Sequence, residues 1–107
     1  MPRKAGLKVT KLAPMHPGEV LREEFLKPLN LSPYKLAEAG GVPRTRFERI
    51  ADEKTGITAD SALRLSKPLG TTPYFWLNLQ TRYDLLMAKK EIGKKLEKIE
   101  PIETNAA

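Results

Sequence analysis

A chain of 107 residues has room for one domain with a modest core. Its 40% hydrophobic content excludes disorder throughout, and no run approaches the roughly 20 apolar residues of a bilayer-crossing helix. The absence of cysteine and a single histidine, His16, exclude disulfide scaffolds, thiolate metal sites and cysteine nucleophiles, while 19 Lys plus Arg against 13 Asp plus Glu leave a formal +6 that favours a polyanionic partner.

That charge is unevenly spread. Residues 1–16 carry Arg3, Lys4, Lys8 and Lys11 and no acid, with Pro2 and Pro14 and little periodicity, so residues 1–14 read as a flexible basic arm. The arm has no apolar stretch of signal-peptide length, about 7–15 residues, and a cytoplasmic protein is expected. Residues 15–88 read as the folded body, and within 17–88 ten basic side chains meet nine acidic ones. Residues 89–107 read as a charged tail, partly helical or disordered, with five lysines against four glutamates. Its mixed charges argue against a membrane-surface role.

In the body, apolar residues recur at spacings of three and four, and no stretch alternates with period two, so the expected fold is all-α. A first helix begins near Pro17 and places Val20, Leu21, Phe25 and Leu29 on one face, with Pro28 closing it. Ser32 caps a second helix with Pro33 at its first position and Leu36 and Ala37 inward, ending at Gly40 and Gly41. Pro43 opens a third, RTRFERIA, whose Phe47 and Ile50 face inward while Arg44, Thr45, Glu48 and Arg49 lie largely opposite. Thr58 caps a fourth, with Ala62, Leu63 and Leu65 inward and Pro68 and Gly70 as its stop. Thr72 and Pro73 open a fifth, in which Phe75, Trp76, Leu79, Tyr83, Leu86 and Met87 form a stripe wider than a short helix needs for its own core.

Two short helices joined through Gly41, the second with a polar outer face, have the sequence form of a helix-turn-helix. Ala37 is small where the helices cross, Gly41 can take a left-handed backbone, and Leu36, Val42, Phe47 and Ile50 are apolar where packing requires it. In this arrangement the N-terminal part of the second helix meets base edges in the major groove, which nominates Arg44, Thr45, Glu48 and Arg49 as base readers. Ser32, Tyr34, Lys35, Arg46, Lys54 and Thr55 are the candidate phosphate contacts. A palindromic DNA site requires a two-fold protein, and Phe75, Trp76, Leu79 and Tyr83 are the candidate dimer interface.

Beyond the turn, MHPGEVLREEFLKPLNLS, LAEAGGVPRTR and GITADSALRLSKPLGTTPYFWLNLQTRYDLL resemble the HigA (VapI-type) antitoxins, a branch of the Xre/Cro-like helix-turn-helix proteins. The resemblance covers about residues 15–88 and implies a five-helix, lambda-repressor-like domain, usually dimeric. It further implies the antitoxin of a type II toxin–antitoxin pair, which binds a RelE-like mRNA-cleaving toxin and represses the shared operon at its operator. The chain departs from that family at Pro33, usually a glutamine that helps hold the DNA backbone, at Asp52 and Glu53, where arginine and glycine are usual, and at Gly40, usually leucine. Two acids beside the DNA would oppose phosphate contacts and make binding weak or salt-sensitive. Rival readings of the same fold are a stand-alone Xre-family regulator without a toxin and a protein-interaction module that has lost DNA binding.

No catalytic constellation accompanies these features. Neither phosphate-cradling glycine motif is present, and adjacent Glu23 and Glu24 point about 100° apart on a helix, too divergent for a carboxylate pair. His16 has no second histidine or cysteine to share a metal and is expected to pack at the start of the first helix. No enzyme activity, cofactor or metal is expected.

Overall fold

His16 and Pro17 start the first helix as the sequence leads one to expect. In the computed structural model, which describes residues 14–103, the His16 Nδ1 atom accepts from the Gly18 N–H at 2.9 Å and caps α1, Pro17–Val20. Residues 1–13 of the arm and 104–107 of the tail lie outside the described residues. From Leu21 to Leu26 the same helix continues in π form, closing with Lys27 N–H on Arg22 O. The wider winding matters for the core, because side chains five apart then share a face. Leu21 and Leu26 are buried with Phe25 half-buried, whereas Leu29, expected on that face, is 58% exposed.

The next two helices are α2, Pro33–Gly40, and α3, Arg44–Ala51. Ser32 Oγ caps α2 by accepting from Lys35 N–H at 3.1 Å, and Leu36 and Ala37 are buried. Phe47 and Ile50 of α3 are fully enclosed. α4, Ala59–Leu69, begins with Thr58 Oγ1 accepting from Ser61 N–H at 3.1 Å and runs through Pro68 to end at Gly70, whose φ is +72°. Its inward face is Ser61, Ala62, Leu65 and Ser66. Leu63 is 56% exposed, contrary to expectation, because it sits about 100° around the helix from Ala62 and two serines take the close-packed positions.

The fifth helix, α5, is Pro73–Leu96, capped by Thr72 Oγ1 on Phe75 N–H at 3.1 Å. Its first three turns bind it to the body. Trp76 is fully buried, its indole N–H donates to Thr71 Oγ1 at 2.8 Å, and its ring meets Phe25 and Phe75 at centroid distances of 5.2 and 5.0 Å. Gln80 Oε1 accepts from Ile57 N–H at 2.6 Å, and Tyr83 stands edge-on to His16 at 5.0 Å. Farther along, Leu85, Ile92 and Leu96 are exposed, and the helix carries the longest dimension to 54 Å. Among the described residues there are five helices and no strand, the all-α architecture expected from periodicity.

α1 lies directly behind α3. A Cβ on Gly18 would fall 1.8 Å from the Ile50 carbonyl oxygen, so only glycine permits this approach. Burial holds the His16 imidazole below its ordinary pKa against the pull of Glu53 and Asp84, with Arg22 adding a further lowering push. Protonation would convert the capping Nδ1 from acceptor to donor and place a cation at the positive end of a helix. The folded state thus holds fewer protons than the unfolded chain below about pH 6.5. Stability that depends on neutral His16 is fully present above that pH and is lost as pH falls through the depressed folded value. Urea midpoints at about pH 7.5 and pH 5.5 should fall further for wild type than for His16→Asn, whose amide caps without titrating.

Candidate nucleic-acid interface

The turn between α2 and α3 is built by backbone bonds that end one helix and aim the next. Val42 N–H returns to Ala37 O at 3.1 Å and Gly41 N–H to Glu38 O at 3.3 Å, the paired pattern of a helix closed by a left-handed residue. Gly41 supplies that conformation, with φ +73°. At Gly40 a Cβ would stand 2.9 Å from Arg64 O and 3.1 Å from the Phe47 ring. No packing side chain is missing there, because the Phe47 ring and the α4 backbone already fill the space.

Along α3, Arg44, Thr45 and Arg49 are exposed and Glu48 is half-buried, so the four candidate base readers share the outer side while Phe47, Ile50 and Ala51 face inward. They differ in ion pairing. Arg44 Nε lies 3.3 Å from Glu48 Oε2, one turn along the helix, whereas Arg49 makes no ion pair among the described residues. Arg49 borders an open cleft between α3 and α4 whose lining includes Thr55, Thr58 and Ser61.

The candidate phosphate contacts do not form one set. Lys35, Lys54 and Thr55 are exposed, and neither lysine has an ion pair among the described residues. Tyr34 is exposed, and its hydroxyl donates to Glu38 Oε2 at 3.2 Å. Ser32 spends its Oγ on the cap of α2. Arg46 points away from the outer side of α3, half-buried, and pairs with Asp60 of α4 while donating to Ser61 Oγ at 3.3 Å. Arg46 and Arg64 hold the Asp60 carboxyl below the usual carboxylate range, Arg46 first.

Of the two unexpected acids, Glu53 is exposed but paired with a side chain of its own protein. Arg22 of α1 donates to Glu53 Oε2 at 3.2 Å and to Ala51 O at 2.5 Å, so one guanidinium neutralises the acid and closes the end of α3. Asp52 remains exposed. Arg22, Asp60 and Arg64 were not singled out from sequence. The four-residue spacing of Asp60 and Arg64 was a usable signal, but nothing local marks an arginine whose partner lies 29 residues away.

Among the candidate interface residues, Phe75 is partly exposed and Leu79 and Tyr83 are half-buried. Trp76 corrects the expectation: it is enclosed by its own chain and has no surface to offer a partner. Among the described residues no group of three or more His, Cys, Asp or Glu is placed to hold a metal ion, and no helix is long and apolar enough to cross a membrane.

No family model matches the chain. It is 48% identical to virulence-associated protein I of Dichelobacter nodosus over 92 residues, 86% of this chain and 84% of that protein. It is 34% identical to antitoxin HigA-1 of Vibrio cholerae serotype O1 over 96 residues, 90% of each. The solved structure of the Pseudomonas aeruginosa antitoxin HigA with the higBA promoter superposes with a TM-score of 0.80 at 42% identity, covering 85% of this chain and all of that one.

Glu53 occupies a left-handed conformation, φ +62°, at the position where the resemblance leads one to expect glycine. That backbone costs a side-chain-bearing residue about 1–2 kcal/mol, and an exposed ion pair returns at most about 1. Glu53→Gly should therefore be at least as stable as wild type in urea, and Glu53→Ala about 1 kcal/mol less stable than Glu53→Gly.

Proposed function

The chain belongs to the HigA-type helix-turn-helix antitoxins, and from that membership we propose that it represses its own operon by binding operator DNA through α3 and neutralises a RelE-like mRNA-cleaving toxin. The observation that carries the DNA reading is the outer side of α3, the helix that follows the turn closed at Gly41, where Arg49 stands exposed and without an ion pair among the described residues, in a chain 42% identical to an antitoxin solved with its promoter. The role is noncatalytic.

Arg49 and Arg44 read bases, with guanine the favoured partner of each. Arg44 must first leave Glu48, and Glu48 is then free to accept from a cytosine amino group. Lys35, Lys54 and Thr55 hold phosphates, joined by Tyr34. Arg46 contributes less than its charge suggests because Asp60 already engages it. Phe75, Leu79 and Tyr83 form part of the seam of a homodimer, which would set two α3 helices roughly 34 Å apart for a two-fold operator. The basic residues of the arm add attraction to phosphate without sequence preference.

Mobility shift with the chain's own upstream DNA tests the repressor role. Wild type should give a specific, salt-dependent shift, and Arg49→Ala should weaken it by about 1–3 kcal/mol, more than Arg44→Ala, whose contact is offset by breaking the Glu48 pair. Absence of a specific shift for wild type would overturn the reading. The toxin half is tested separately by co-expression with the product of the adjacent gene. The two should purify together and the toxin's mRNA cleavage should be suppressed, whereas a specific shift with no co-purifying toxin would leave a stand-alone regulator.

A further inference from the structure

We propose that Arg64, on the helix after the helix-turn-helix, is a positioning residue for base reading: through Asp60 it ties the closed end of α2 to Arg46 of α3 and so fixes how α3 is presented to DNA. The inference rests on the DNA-binding reading above.

Arg64 Nη1 donates to both Gly40 O and Gly41 O, each at 3.1 Å. These carbonyls are at the end of α2, where no further helical turn supplies donors. Arg64 Nε donates to Asp60 at 3.2 Å (Oδ1) and 3.0 Å (Oδ2), and Asp60 Oδ2 also accepts from Arg46 Nη1. A continuous series of charge-assisted bonds therefore runs from the α2 carbonyls through Arg64 and Asp60 to α3. The local backbone is shaped to admit it: a Cβ at Gly41 would lie 3.2 Å from Arg64 Nη1.

The remaining contact between α2 and α3 is chiefly apolar, with Leu36 and Ala37 on one side and Phe47 and Ile50 on the other. Apolar packing is non-directional and leaves rotation of an eight-residue helix weakly specified. Hydrogen bonds are directional, and a planar guanidinium can meet a carboxylate and two carbonyls at once. Lysine, a single point donor group, cannot span the same three acceptors in that geometry. The bridge also keeps Arg46 from phosphate, which favours contacts on the outer side of α3 over indiscriminate ones.

The test compares wild type, Arg64→Ala, Arg64→Lys and Asp60→Asn by fluorescence anisotropy on a duplex of the upstream DNA and on a shuffled duplex of equal composition, over a salt series. Amide exchange at Gly41, Val42 and Arg46 is followed without DNA. Arg64→Ala should lower the ratio of upstream to shuffled affinity about tenfold or more. Arg64→Lys should fall between it and wild type, and Asp60→Asn should steepen the salt slope by about 0.9 as Arg46 gains a phosphate. Exchange at Gly41 and Val42 should quicken while the amides of α5 beside Trp76 hold their protection. An unchanged ratio in the variants, or equal loss on both duplexes, would overturn the proposal. If Arg64→Ala does not fold, Arg64→Lys carries the comparison. If wild type shows no preference between duplexes, the DNA reading fails instead, and unchanged exchange at Gly41 and Val42 then decides against the bridge.

Discussion

An eight-residue helix cannot hold itself together in water, since isolated helices shorter than about 12–15 residues are marginal even in favourable sequences. α3 is such a helix, and the rest of the fold is arranged to hold it. Its inner face closes over Phe47 and Ile50, both fully enclosed. Its last turn is backed by Gly18 of α1 and ended by Arg22, and its flank is tied to α4 through Asp60. The interior packing gives stability, and the polar contacts at the helix edges give orientation. Separating those tasks lets the outer side of α3 stay polar and accessible.

Electrostatics follows the same division. The net charge of +6 does not describe a basic clamp, because four of the cations precede residue 17 and the body is close to neutral. On α3, Arg44 and Arg46 each face a carboxylate of their own protein, and Arg49 faces none among the described residues. A polyanion approaching this surface meets cations of two kinds, some available at once and some that must exchange one acceptor for another. Breaking an internal pair has the same cost whichever acceptor replaces it, so these pairs lower the total attraction.

Most of the fold was legible in the sequence because its punctuation is local. Ser32, Thr58 and Thr72 each cap the helix that follows, and Gly41 and Gly70 each end one in a left-handed turn, through contacts within a few residues. α-Helical spacing points Leu29 inward, but the helix ends in a π turn at Leu26 and Leu29 lies exposed in the turn beyond it. Leu63 is apolar, yet it sits about 100° around α4 from Ala62 and points outward while the helix buries Ser61 and Ser66. A wide apolar stripe does not reveal which of its members its own domain covers, and here that member is Trp76. The candidate base readers share one side of α3 because helical spacing alone determines that. The arginine bridges of Arg22 and Arg64 depend on tertiary approach across more than twenty residues, which no local pattern encodes.

The reach of α5 has a consequence for cooperativity. Its first half is welded to the body through Trp76, Gln80 and Tyr83, while Leu85 onward has little beneath it. In a lone protomer that second half melts as a free helix would, gradually and at little cost, ahead of the body. Helical circular dichroism then sums two processes, whereas the fluorescence of the buried Trp76 reports only one. The two signals should not share a midpoint, and a single stability assigned from helicity would describe neither part.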